Sequence, residues 1–520
     1  MRLRRGARAL WVAGALSACG EVPPAALPLR TELGKNVQRL RPTESAPGMP
    51  WRYDTGEVVE SVVSPDGGFR VHFTRAGRNA VPAQDVNDSG VPDLVEQVGQ
   101  AYDQVAAFYA GTLNFRAPLG DGQLGGDGRF DVYLLDFGGA ADGTFQVDSC
   151  PLSNPDTCSG HVLQENDFAG YGYASALQGT RVLGSHEYFH AIQSAYDKTQ
   201  GVVLEEGTAV WGSTRFDPSL GELEGFAGGY LSRPERALDS PPPGPVPDFA
   251  YGSAVFFEFL DEKFGPDVIR QLWERCEQAP EKSWLARLDE LLQQQYASSF
   301  AQAFAEFARW NLYTGGAADS RQAWADARRF PVVANTQVSV PYQSPSPPYL
   351  FYASARYFRA AASGRALMTA AVVDNPGTAQ DDTEGLTLHL VTRRSGKNAA
   401  AVTPASVSAG LEAVDTSGTA ELWVAVANGA VSGTSRRPHL CIGTPEEVAT
   451  CREALSPAPP DAGVEVPDAG TGSPDGQDGG GGGGAPAPSG CGCSGSGPTS
   501  AAGWLGVLGL WRLRRPRRER

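Results

Sequence analysis

Histidine and methionine are scarce in this chain, with six and three copies among 520 residues. Two histidines at a fixed spacing are therefore hard to attribute to chance. Basic residues are outnumbered as well: 43 Lys and Arg against 59 Asp and Glu give a formal net charge of −16. That balance excludes nucleic acid as an expected partner. No uninterrupted apolar run reaches the roughly 18 residues of a conventional membrane span. Cys-x-x-Cys is absent among the eight cysteines, so a thiolate zinc site is not expected.

What is present centres on Leu183-Gly-Ser-His-Glu-Tyr-Phe-His-Ala-Ile-Gln193, which contains His-Glu-x-x-His. Residues four apart share a helix face, so His186 and His190 can point at one ion. Glu187, one position on, can reach a water on that ion. A catalytic zinc takes three protein ligands and leaves one position for water, whose acidity it raises. A nearby carboxylate then takes the proton as the water oxygen attacks a carbonyl. A lone His or Glu on a helix is ordinarily a solvated or satisfied side chain. The joint pattern points instead to zinc on His186 and His190, with Glu187 as the catalytic base. Glu187 would have no use in a closed structural site.

The third ligand distinguishes the kinds of zinc site. A metzincin needs Gly and His where Gln193 and Tyr196 stand, and the aspartate type needs Asp where Trp211 stands. The chain instead continues into Val202-Val-Leu-Glu-Glu-Gly-Thr-Ala-Val-Trp211. Gly201 reads as the stop of the first helix, and a second helix would return Glu205 or Glu206 to the metal. The two face about 100° apart on a helix, so only one should bind. The pattern resembles that of the gluzincins, whose ligand glutamate directly precedes Gly or Ala. That resemblance selects Glu206.

Read from its start, the chain opens with arginines and an apolar run ending in Leu16-Ser-Ala-Cys19. Residues 1–19 read as an export signal. The ending resembles the bacterial lipobox, which implies that Cys19 is lipidated and the protein is membrane-anchored; an ordinary cleaved signal is the alternative. Export implies an oxidising compartment. Cys150 with Cys158, and Cys441 with Cys451, each bracket a short loop and are expected to form local disulfides. Cys276 reads as a buried helix thiol. Residues 20–50, with several prolines and little apolar periodicity, read as a tether.

Residues 51–335 carry the site. Phe69–Thr74 alternates like a strand, and His72 reads as a strand residue. Asp85-Val-Asn-Asp-Ser-Gly-Val-Pro-Asp-Leu-Val-Glu96 offers oxygens from Asp85, Asn87, Ser89, Asp93 and Glu96, with Gly90 at the sharp turn. That order is a calcium-type loop. Pro82 interrupts the helix that should precede it, and a metal-free turn opening the helix Asp93–Ala110 is the alternative. Phe130–Phe137 reads as an apolar strand. Gly170–Ala176 is the candidate sheet edge for a peptide substrate added as a strand. Four segments between Tyr251 and Leu312 show helical periodicity. Tyr251 resembles the tyrosine that in aminopeptidase-like zinc peptidases stands shortly before a Gly and stabilises the oxyanion, though here Gly252 is adjacent; that resemblance implies an oxyanion role, and a core tyrosine is the alternative.

Residues 336–455 alternate strand-like runs with turns and read as an accessory β-sandwich with no reactive cluster. Residues 456–500 are a Pro/Gly-rich linker. In 501–520 a short apolar run ends in an arginine cluster, preceded by Cys491-Gly-Cys493. This resembles the myxobacterial C-terminal surface-sorting tail. The full order of lipobox, Asp-x-Asn loop, Asp131-Val-Tyr133 strand, His-Glu-Tyr-Phe-His, Glu-Glu-Gly-Thr-Ala and tail resembles a family of myxobacterial surface metalloproteases.

The expected fold is α+β. A gluzincin-like domain, with an N-terminal mixed sheet plus zinc helix and a C-terminal helical subdomain, precedes the β-sandwich. The expected function is hydrolysis of protein or peptide substrates with catalytic Zn2+ and a structural Ca2+, at the cell surface or outside the cell. The rival is a catalytically silent surface lipoprotein that uses the fold for binding or envelope structure; hydrolysis of a non-peptide amide or ester is a third reading.

Overall fold

The computed structural model describes residues 41–44, 51–240, 248–279, 281–394, 397–402, 412–433 and 435–455. The export segment with Cys19, most of the 20–50 tether, the 456–500 linker and the 501–520 tail lie outside them. Among the described residues no helix is long and apolar enough to cross a membrane. The architecture is mixed α and β.

The chain first builds β1 (Val59–Val63), β2 (Phe69–Thr74), α1 (Asp93–Gly111), β3 (Phe130–Leu135), β4 (Gly143–Ser149) and β5 (Ser159–Glu165). The five strands form one sheet in the order β1-β2-β3-β5-β4. Its centre, β2, β3 and β5, is parallel, and the outer strands β1 and β4 run antiparallel to their neighbours. Alternation assigns the faces. Phe69, Val71, Phe73, Val132, Leu134 and Val162 join the main core. His72, Asp131, Tyr133 and His161 point the other way. On the core face α1 lies beside α2 (Ala176–Tyr196). Leu94, Val98, Ala101 and Val105 make the buried stripe of α1 at helical spacing.

Helix α2 starts at Ser175, whose side chain accepts from the Gln178 amide. From Gly179 to Tyr196 nearly every residue is buried, because the sheet covers one side and further helices cover the other. These are α3 (Val202–Phe216), α4 (Glu222–Leu231), α5 (Asp248–Gly252), α6 (Ala254–Phe264), α7 (Asp267–Gln278), α8 (Trp284–Gln295) and α9 (Phe300–Trp310). The expected stop at Gly201 falls elsewhere. Helix α2 ends at Tyr196, and Asp197 closes the turn by accepting from Thr199 and Gln200. Gly201, at φ 95°, leads into α3 instead.

Beyond residue 335 come β6 (Thr336–Val338), β7 (Tyr342–Gln343), β8 (Ser354–Ala361), β9 (Leu367–Val373), β10 (Leu386–Arg394), β11 (Lys397–Val402), β12 (Val414–Asp415), β13 (Glu421–Asn428), β14 (His439–Gly443) and α10 (Pro445–Leu455). They make a sheet of order β11-β10-β13-β8-β6 and another of order β12-β9-β14-β7. A shared apolar core includes Phe358, Met368, Val372, Leu388, Leu390, Leu422, Val424 and Ile442. Strand β13 is apolar on both faces, and both are covered. Leu422, Val424 and Val426 face the second sheet, while Trp423, Ala425 and Ala427 join the core that contains α9. The Tyr357 hydroxyl accepts from Asn311 at 3.0 Å and donates to the Ala308 carbonyl at 3.2 Å, across the same seam.

Candidate metal centre

The two helices that come after the first sheet bring three ligand atoms together. His186 and His190, one turn apart on α2, place their Nε2 atoms 3.1 Å from each other. Glu206, just past the first turn of α3, sets Oε2 at 3.2 Å from His186 Nε2 and 3.4 Å from His190 Nε2. Ligand atoms from these three residues lie within 4.8 Å of one another. Among the described residues this is the one such group of histidine, cysteine and carboxylate residues. Gly207 explains how α3 fits: a Cβ there would come within 2.4 Å of Ser253 Oγ and 2.5 Å of the Phe257 ring. Glu205 turns elsewhere, and its half-buried carboxyl is pushed up to about 7 by burial.

The outer ring atoms of both histidines are held. His186 Nδ1 lies 3.0 Å from Glu222 Oε1, at the start of α4, and Glu222 Oε2 accepts from Ser213. His190 Nδ1 lies 2.7 Å from Gln193 Oε1. The Gln193 amide nitrogen donates to the Glu205 carbonyl at 2.8 Å and to Thr208 Oγ1 at 2.9 Å, which fixes its oxygen towards the imidazole. Each Nδ1 thus faces an acceptor and carries the proton. In neutral imidazoles the two Nε2 lone pairs then face each other and a carboxylate oxygen, with no hydrogen between them. Such a group needs a positive charge. Burial opposes protonation, yet Glu222 and Glu206 outweigh it and hold His186 well above its ordinary value. His190 is raised by Glu206 against the same burial. Despite its own burial, the two imidazoles hold Glu206 down at about 2. Two imidazole nitrogens and one carboxylate oxygen are a donor set that could hold a divalent cation such as zinc.

Glu187 faces the sheet. Its Oε2 accepts from the Phe145 amide of β4 at 2.6 Å, and burial raises its pKa above the ordinary carboxylate value. Strand β4 is the free edge of the sheet beside α2. It approaches closely because Gly143 has no side chain; a Cβ would come within 2.4 Å of Leu183. Gly170–Ala176, expected as a sheet edge, forms no strand; the outer strand beside α2 is β4. Gly170 and Gly172 have φ of 84° and 87°, which breaks an extended run. Tyr171 and Tyr173 are anchored by their hydroxyls to Glu165 at 2.8 Å and Asp142 at 2.6 Å. The alternating Gly-Tyr pattern is a loop over the site.

Tyr251 sits in α5 with its ring 5.9 Å from that of His186 and stacked 4.7 Å from Phe226. It is 4 % exposed, so it belongs at once to the wall of the site and to the core.

The Asp85–Glu96 loop keeps its oxygens for itself. Asp85 accepts from the Ser89 and Gly90 amides, Asp93 from Val86, and Glu96 from the Asn87 side chain. Ser89 Oγ accepts from Val91. Asp88 and Gly90 take φ of 55° and 85° in this turn into α1. Its carboxylates do not converge as the three residues on α2 and α3 do. Cys150 and Cys158 lie at disulfide distance, as do Cys441 and Cys451, and Cys276 is a buried thiol.

Two features escaped the sequence. Glu222 looks like an ordinary acidic residue in a first helical turn, and nothing marks Phe145 as the partner of Glu187. No protein-family model matches the chain, and no curated protein matches it.

Proposed function

We propose that this protein is a zinc-dependent metallopeptidase of gluzincin type, exported and held at the cell surface by a lipid on Cys19, with an accessory β-sandwich in residues 336–455. The observation that carries the reading is the convergence of His186 Nε2, His190 Nε2 and Glu206 Oε2, which lie 3.1, 3.2 and 3.4 Å from one another. Those three residues would hold the ion, and Glu222 and Gln193 would keep the imidazoles in the binding tautomer. Zinc would supply a Lewis acid that acidifies water and polarises a carbonyl.

Glu187 is suited to accept the proton from the attacking water and return it to the leaving amine. Burial has raised its pKa towards working pH, and the Phe145 amide fixes one oxygen. Strand β4 is the outer strand of the sheet beside that carboxylate, and an extended peptide could add to it as a further strand. Tyr251, whose ring lies 5.9 Å from that of His186, is our candidate to donate to a developing oxyanion.

A broad peptide library digested with wild-type protein, with and without chelator, tests the reading. Chelator-sensitive cleavage that Glu187→Gln lacks is the expected result. Wild type and Glu187→Gln equally inactive on every pool would favour the silent binding protein.

A further inference from the structure

On the far face of the first sheet, away from α1 and α2, lies a second buried cluster, and its centre is Arg41. This residue falls in the stretch 20–50 that composition marks as a tether, yet it is 2 % exposed. Nη1 donates to Asp131, and Nη2 donates to Asp121 and, at 2.6 Å, to Asp148 Oδ2. Nη1 also lies 3.3 Å from the Tyr133 hydroxyl. The remaining oxygens of two carboxylates are taken by imidazoles: Asp131 Oδ1 by His72 Nε2 at 2.6 Å, and Asp148 Oδ1 by His161 Nδ1 at 2.9 Å.

The parts come from β2, β3, β4 and β5 and from the loop before β3. That loop is shaped for the purpose. Gly125, at φ 75°, lies so close to Asp131 that a Cβ would come within 2.2 Å of its carboxylate. The backbone around Arg41 is fixed as well, since its carbonyl accepts from the Glu44 amide at 2.9 Å and the Pro42 carbonyl accepts from Tyr53 at 3.2 Å.

Three carboxylates at this depth need a cation. The arrangement suits a planar guanidinium, whose two terminal nitrogens donate in divergent directions, better than an ammonium donating from one point. We propose that this is a guanidinium-binding site filled in cis by Arg41, and that it sets the N-terminal limit of the mature protein: processing of the leader cuts before residue 41. A chain trimmed beyond that point would need an arginine side chain from elsewhere to take the vacated place. The Arg41 cluster owes nothing to the metal reading, which could fail without affecting it.

The test uses the full chain carrying Arg41→Ala, with melting followed as millimolar ethylguanidinium or ethylammonium is titrated at matched ionic strength. Arg41→Ala should melt several degrees below wild type and recover saturably with ethylguanidinium alone. Recovery that is absent, or equal with both cations, overturns the site. Should Arg41→Ala fail to fold, native wild-type protein answers through butanedione modification and peptide mass mapping. Arg41 should then react at least roughly tenfold more slowly than Arg321, whose side chain is 86 % exposed. Equal rates overturn the site, and a mature N-terminus beyond residue 41, read by intact mass, overturns the processing limit.

Discussion

The two faces of the first sheet each look onto a buried cluster of carboxylates and imidazoles. On the far face the positive charge belongs to the chain: Arg41 sits among Asp121, Asp131 and Asp148, with His72 and His161 behind two of them. On the helix side His186, His190 and Glu206 converge, and among the described residues no Lys or Arg pairs with them. Similar residues thus make a closed electrostatic staple in one place and, on the reading we propose, the ligand set for a zinc ion in the other. Burial alone does not separate the two cases; the source of the charge does.

The sharpest break between the clusters should appear in turnover. Glu187→Gln is expected to lower hydrolysis by about 10²–10⁴-fold while the zinc content measured by elemental analysis stays the same. Asp148→Ala should destabilise the protein by roughly 3–5 kcal/mol in denaturant titration, with or without zinc, because it strips one partner from a buried charge. Zinc at a hundredfold excess over Kd should stabilise the wild type by about 2.7 kcal/mol. That gain should vanish in Glu206→Gln and persist in Glu205→Gln; the reverse result would move the ligand role to Glu205. Glu222→Gln should weaken zinc affinity by about 10–100-fold in competition with a chelating dye, without removing the site.

The smallest effect concerns a carboxyl outside both clusters. Burial, and then Asp261, push Glu258 up to about 8. The folded chain keeps this proton up to that pH, while an unfolded glutamate releases it near its ordinary value. Unfolding between those limits releases a proton, so stability falls as pH rises through the window. Glu258→Gln should flatten that slope and gain roughly 1–3 kcal/mol at pH 8. A variant with an unchanged pH–stability curve would refute the assignment.

How far the sequence could be read depends on how local each feature is. The spacing of His186 and His190 is a property of one helix, so it was legible before any tertiary contact. Glu206 needed a second helix, and the Glu-Gly pair supplied it through resemblance. Gly207 has its own reason in the approach of Ser253 and Phe257. Glu222 reaches His186 from a third helix, and no spacing encodes that. Gly170–Ala176 misled because Gly-Tyr alternation imitates a strand when side-chain pattern is weighed without backbone sign. Arg41 was hidden by prolines around it, since composition describes a segment and a single anchored residue can contradict it. The Asp85–Glu96 loop shows the converse limit. Oxygen spacing fits calcium, but the same oxygens satisfy the loop's own amides.

The seam between α9 and β13 bears on how this chain can be taken apart. Trp423 carries the Arg393 guanidinium on its face at 3.7 Å, and that same arginine donates to the Leu312 carbonyl below. Ala425 and Ala427 press into the aromatic cluster that includes Phe307. A fragment ending at residue 335 would bare that apolar surface and leave buried polar groups of Asn311 and Leu312 without their partners. Expression of residues 41–335 alone should therefore yield an aggregating product, and melting of the whole chain should show one transition in which the helices and the sheet of β11, β10, β13, β8 and β6 are lost together.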